Sequence, residues 1–350
     1  MDEANNNQMK AINQELGKQS VKFKIPVYLV NSASVVGKKE GEGPLGELFD
    51  IVTDDKDGCN TWEEAESALQ RDAVTTLIQK TGIRTENVRY LFAGDLLGQS
   101  IASTFGLMTF ELPYFGLYGA CSTCGLSLSL GSMAIAGGFA ENVICVTSSH
   151  FASAEKEFRY PLSYGNQRPL SATWTVTGSG AFLLSSQKKD GARAVITGIT
   201  TGKIVDYGVK DSMNMGACMA PAAADTIYQH MKDFHAKPED YDKIITGDLG
   251  IVGQEILIDL LLQKDLNISN QHMDCGIEIF DGAVQDTHSG GSGCGCSATV
   301  LSAYVLKQIE QGIWKKVLFI PTGALLSKTS FNEGQSVPGV AHAVVLENIK

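Results

Sequence analysis

The sequence predicts an α/β protein built from two similar βαβαβ halves, with mostly parallel sheets covered by helices. Two internal repeats and one alternation carry that reading. In the first repeat, LIQKTGIRTENVRYLFAGDLLGQ and HMKDFHAKPEDYDKIITGDLGIVGQ each run from an amphipathic helix through a short polar loop into an apolar strand. Each then ends on Gly-Asp-Leu, so that Gly94-Asp95-Leu96 matches Gly247-Asp248-Leu249. In the second, a small-residue helix after Cys121 leads into GGFAENVICVTSS, and the helix SATVLSAYVLKQIEQ after Cys294 leads into GIWKKVLFIPTG. Apolar runs alternate with helical periods along the rest of the chain.

In chain order, residues 1–22 are polar, lack the apolar centre of a signal peptide, and read as a flexible tail. The first half, 23–188, opens with the strand KIPVYLVNSASVVG, whose counterpart RAVITGITTGKIVDYG opens the second half, 189–350. Gly138 and Gly312 stand near the ends of the repeated helices, where a left-handed cap suits glycine. Ile144 and Leu318 sit in matching strands, and the polar turn SSQKKDGAR joins the halves.

The 350 residues suffice for a sizeable core, with 43% hydrophobic and 19% charged residues. A net charge of -11 without a basic stripe argues against a nucleic-acid partner. A small anion would need a local cluster of cations to offset the field of the whole chain. No stretch approaches the ~20 apolar residues of a membrane-spanning helix, so membrane contact is expected to be peripheral. The eight cysteines read as free thiols of a cytoplasmic protein.

Cys121 raises the chemical question. It stands where a loop tips into a helix, among Gly119, Ala120, Ser122 and Gly125. A helix N-terminus stabilises a thiolate, and small neighbours admit a ligand. Free cysteine is equally at home as a small buried apolar residue. Cys121-Ser122-Thr123-Cys124 has redox spacing without the usual context, and Cys294-Gly295-Cys296 lacks a second paired motif for zinc. No metal and no cofactor are expected.

Two βαβαβ halves with a cysteine opening the central helix of the first resemble the thiolase superfamily, which includes the ketoacyl synthases. The resemblance implies a layered α-β-α-β-α architecture over nearly the whole chain after about residue 22. Within that superfamily, YGACSTCG, VTSSHFASAEKEFRYPLSYGNQRPLSATWTVTGSGA and ITGDLG are most similar to the stage V sporulation protein AD family. That resemblance implies a protein that binds dipicolinic acid for uptake into the developing spore. It would act with other stage V sporulation A membrane proteins, peripheral at the forespore or spore inner membrane. The alternative is an active acyltransferase or condensing enzyme using Cys121.

The condensing enzymes place two polar residues beside the cysteine. The resemblance puts one of them after KIITGDLG, where this chain has Asp248 and no histidine until His272. It puts the other in the Gly-rich loop DTHSGGSGCGCSA, where His288, followed by Gly291 and Gly293, is similar to the thiolase pattern. A carboxylate beside a thiol raises the thiol's pKa and donates nothing to an oxyanion. Asp248 is read first as a turn cap shared with Asp95, and otherwise as a pocket residue. The resemblance also implies that His150 falls near the pocket or a dimer interface. The loop EKEFRYPLSYGNQRPLSATW supplies Arg159, Arg168, Gln167 and Asn166 with Phe158, Tyr160 and Tyr164 interleaved, a composition suited to an aromatic dicarboxylate. Cys121, Ser122, His150, Arg159, Gln167, Arg168, Asp248, His288 and Gly291 are the expected ligand contacts, and Cys121 with His288 the expected pair if catalysis survives. Thiolase-type proteins are usually homodimers, and NVICVTSS is the strand expected at the paired edge.

Overall fold

The computed structural model describes residues 13–159 and 167–349. The first half contributes β1 (Ser20–Val36), α1 (Trp62–Thr81), β2 (Tyr90–Gly94), α2 (Ile101–Leu107), β3 (Tyr114–Gly116), α3 (Thr123–Ala136), β4 (Asn142–Ser149), α4 (Phe151–Phe158) and β5 (Gly178–Ser185). The second contributes β6 (Ala194–Thr200), α5 (Met215–Phe234), β7 (Lys243–Thr246), α6 (Gly250–Leu262), β8 (His272–Asp274), α7 (Cys294–Val300), β9 (Lys316–Ile320) and β10 (Ala343–Glu347).

The strands follow one order, β8-β7-β9-β10-β6-β1-β5-β4-β2-β3. Read outward from the middle, each half lays down its strands in the same sequence. β1 is long enough to serve both halves. Its Tyr28–Val36 stretch pairs with β5, and Ser20–Lys22 and Val27–Leu29 pair with β6 across an irregularity. Glu15 and Leu16 pair back onto Val21 and Ser20 around a turn at residues 17–19, so residues 15–22 form a tight hairpin rather than a tail.

Both faces of each half-sheet are covered, which explains the near-continuous apolar runs of the strands. In β4, Val143 and Cys145 enter the central core while Ile144 and Val146 enter the outer core under α1. In β9, Val317 and Phe319 face the centre while Leu318 and Ile320 face α5 and α6. The central layer holds α3 and α7, from which Cys124, Leu128, Cys296 and Val300 join one apolar cluster. The result is five layers, α-β-α-β-α.

The helix ends are written locally. Thr61 and Glu64 form a capping box at the start of α1, and Gly82 ends it with a φ of 63°. Glycine in α3 serves close packing: a Cβ at Gly125 would lie 2.6 Å from the His342 carbonyl oxygen.

Candidate functional site

The parallel strands β2, β7 and β9 end on one side of the molecule, and their C-terminal loops meet the starts of α3 and α7 there. Cys121 sits two residues before α3. Ala120 has a left-handed φ of 49°, a conformation that costs a non-glycine residue energy and persists only when its surroundings impose it. Here Thr123 Oγ1 accepts from the Gly119 amide (3.0 Å) and donates to the Ala120 carbonyl (2.6 Å). Ser122 Oγ donates to the Gly119 carbonyl at 2.6 Å. The turn is thereby fixed and the thiol is held at the rim of a cavity of about 30 Å3.

Asp248 faces that thiol, near enough for its charge to act on it. Its Oδ1 accepts from Thr322 Oγ1 (2.7 Å), and its Oδ2 accepts from the Gly293 amide (2.9 Å) and from Ser292 Oγ (3.3 Å). Gly293 has a φ of 101°, and a Cβ there would meet Ser149 Oγ at 2.5 Å, so the position requires glycine. Burial pushes the Cys121 thiol well above its ordinary pKa, and the negative charge of Asp248 pushes it further. Burial also raises Asp248 to about 7, against the pull of the hydrogen bonds from Thr322 and Gly293. The thiol is therefore the protonated, weakly nucleophilic form at neutral pH.

A wider space adjoins this cavity. It measures about 370 Å3, and its walls include Phe158, Arg159, Gln167, Leu326, Lys328 and Phe331. Phe158, Arg159 and Leu326 border both spaces.

The chain matches the model of the family described as stage V sporulation protein AD over residues 17–347. It is 42% identical over 333 residues to stage V sporulation protein AD of Bacillus subtilis (strain 168), covering 95% of this chain and 97% of that protein. The chain belongs to the stage V sporulation protein AD family. Solved structures with the same fold include 3-oxoacyl-[acyl-carrier-protein] synthase III of Aquifex aeolicus (TM-score 0.55, 13% identity, 92% of this chain and 99% of that one). Cerulenin-bound OleA of Xanthomonas campestri (0.57, 12%, 93% and 97%) and human mitochondrial 3-ketoacyl-CoA thiolase (0.53, 12%, 93% and 99%) share it too. This sporulation protein has a thiolase-like fold.

The expected site residues divide into two groups. Cys121 and Asp248 meet directly, and Gly291 lies beside them: its short strand Gly291–Ser292 pairs with Trp174–Thr175 and delivers Ser292 and Gly293 to Asp248. Arg159 and Gln167 line the wider space. Ser122 is fully buried and spends its hydroxyl on the turn. His288 is not brought to Cys121. With a left-handed φ of 54°, it bonds the Pro169 carbonyl through Nδ1 (2.8 Å) and meets Asp286 Oδ1 through Nε2 (3.1 Å). His150 is the N-cap of α4: its Nδ1 accepts from the Ala152 amide, its Nε2 meets the Asp55 carbonyl at 2.6 Å, and its ring packs near Trp62. Arg168 is held beneath the surface, over the Trp174 ring at 4.8 Å and against Asp286 Oδ2 at 3.0 Å, outside both linings. Tyr160, Tyr164 and Asn166 lie outside the described residues.

The turn-cap reading of Asp248 is also corrected. Asp95 does cap its own turn, accepting from the Leu97 amide at 2.8 Å. In the second half that duty falls to Asp274, which accepts from the Leu249 (2.9 Å) and Gly250 (3.1 Å) amides. Asp248 is thereby released to face Cys121. Thr322 was missed, although aligning Ile144 with Leu318 places it opposite Ser148 in the repeat. Leu326, Lys328 and Phe331 carry no motif and were not legible.

Proposed function

We propose that this chain binds dipicolinic acid in the space beside a disused thiolase-type site, for uptake into the developing spore. The observation that carries the reading is the Cys121–Asp248 pair. A nucleophilic cysteine needs a base to take its proton or a cation to stabilise the thiolate. Here the charge that faces it is that of a carboxylate, which opposes ionisation, and no histidine lines the cavity among the described residues.

The neighbouring space has the chemistry of an aromatic dicarboxylate. Phe158, Phe331 and Leu326 offer apolar walls, while Arg159 and Lys328 offer positive charge. Arg159 gives one nitrogen to Glu155, and its buried Nε has no partner among the described residues. At about 370 Å3 the space is near the small end of the ~300–1,000 Å3 typical of ligand sites, which suits a single ring. The 30 Å3 beside Cys121 accommodates about one water, so the ring belongs in the outer space unless Phe158 or Leu326 shifts.

Two further parts belong to the same reading. The chain works as a homodimer, and it reaches the spore inner membrane through other stage V sporulation A proteins. Among the described residues, no helix is long and apolar enough to cross a membrane.

Dipicolinate should raise the melting temperature. Arg159→Ala and Lys328→Ala should each weaken its affinity about tenfold, as expected for losing a hydrogen bond to a charged group. Wild-type affinity in both variants would remove the ligand from this space. The alternative, an acyltransferase using Cys121, predicts a mass increase on incubation with acyl-CoA that disappears in Cys121→Ala. The binding reading predicts no adduct.

A further inference from the structure

A second polar cleft, of about 270 Å3, opens where the two halves meet on the flank of β1. Three cations reach it from three elements: Lys80 in the last turn of α1, Arg193 just before β6, and Lys307 in the helix Leu306–Glu310. Two carboxylates, Asp50 and Glu310, accompany them, so this corner of a chain with net charge -11 carries an excess of positive charge.

The carboxylates orient the cations rather than occupy them fully. Lys80 Nζ lies 2.8 Å from Asp50 Oδ1 and donates to the Ser32 carbonyl at 2.7 Å. Arg193 Nε lies 3.3 Å from Glu310 Oε2, and its Nη1 donates to Ser32 Oγ (2.7 Å) and to the Ser302 carbonyl (3.1 Å). Three donors remain without an acceptor among the described residues: Arg193 Nη2, the Lys307 ammonium and the amide nitrogen of Asn31, whose Oδ1 is taken by the Ser32 amide.

A backbone irregularity coincides with the cleft. The helix that continues from α7 passes through a π turn at Leu301–Val305, whereas its counterpart α3 is an unbroken α-helix. π turns are rare and concentrate at functional sites. This one places Ser302, which gives its carbonyl to Arg193 and its hydroxyl to Ser32, in the wall of the cleft.

The geometry points to a binding site for a phosphoryl group. One arginine Nη2, an ammonium and a neutral amide lining one small space offer donors to the several oxygens of a tetrahedral dianion. The volume falls just under the usual range for small-molecule sites, which fits inorganic phosphate or the phosphate head of a small monoester.

The test is calorimetric titration of the full chain with inorganic phosphate and with glycerol 3-phosphate, at ionic strength held constant with sodium chloride. Saturable binding is expected, with affinity lowered about tenfold or more in Lys307→Glu and in Asn31→Ala. Lys307 is exposed and makes no ion pair among the described residues, so its reversal leaves folding intact. Lys328→Ala, in the other space, should bind phosphate like the wild type. The tighter of the two ligands identifies whether free phosphate or a monoester is the natural occupant. Absence of saturable binding, binding unchanged in Lys307→Glu, or binding lost instead in Lys328→Ala would overturn the assignment.

Discussion

Cys121 and Asp248 set each other's protonation, and the consequence reaches stability. Asp248 ionises near pH 7 in the folded chain, against an ordinary value of 3.8, chiefly because it is buried. Between about pH 4 and 7 the folded form therefore holds a proton that the unfolded chain has released. Its contribution is fully present below pH 4 and is lost as pH rises through 7, at up to about 1.4 kcal/mol per pH unit. In Asp248→Asn this component vanishes. Urea unfolding at pH 5 and pH 7 should show a smaller loss of stability for the variant than for the wild type, and equal losses would mean that another group holds the proton. The resemblance to the condensing enzymes put Asp248 beside Cys121, and the structure brings the two together. The duty of Asp248 was misjudged because Asp274, which takes over the turn, has no acidic counterpart at the end of β3. His288 had the right loop and spacing, but its left-handed backbone turns the ring toward Pro169 and Asp286.

At the scale of elements, α4 is the wall whose position decides the shape of the site, since Ala154 and Phe158 border the Cys121 cavity. It is fastened to α1 by a buried carboxyl group. Glu66 Oε2 accepts from Ser153 Oγ at 2.5 Å and Oε1 accepts from Ser148 Oγ at 3.0 Å. Burial raises Glu66 to about 8, and the nearby charge of Asp95 adds to the effect. The exposed Lys156–Glu63 pair, 2.5 Å apart on the same helices, contributes little by comparison. Ser153→Ala removes a donor from a fully buried carboxyl oxygen and should cost about 1–3 kcal/mol. Hydrogen exchange should then accelerate in α4 more than in the body of α1. Uniform acceleration in both helices would show that α4 is not separately fastened. None of this was legible beforehand. Glu66 sits in an acidic, helix-forming stretch that reads as solvated surface, and only the tertiary packing of α1 on β4 buries it.

At the scale of the molecule, the doubled architecture was the most legible feature, because covering both faces of a parallel sheet forces apolar runs of strand length between amphipathic helices. What a linear repeat does not encode is the lateral order of strands. NVICVTSS became β4, which pairs with β2 on one side and β5 on the other and is buried throughout. It has no free edge to offer a second chain. The open edge of the first half is β3, with Tyr114 and Phe115 exposed, and Phe105, Met108 and Tyr118 exposed on the neighbouring segments. An edge strand flanked by apolar side chains is covered in most soluble proteins, and continuation of the sheet into a second copy would cover this one. The proposed dimer therefore belongs on β3. Sedimentation equilibrium at micromolar concentration should give a dimer for the wild type. Phe115→Lys, which puts a charge on the edge, should shift it toward monomer while the circular dichroism spectrum is retained. A wild-type monomer would exclude the dimer, and a dimer undisturbed by Phe115→Lys would move the interface away from β3.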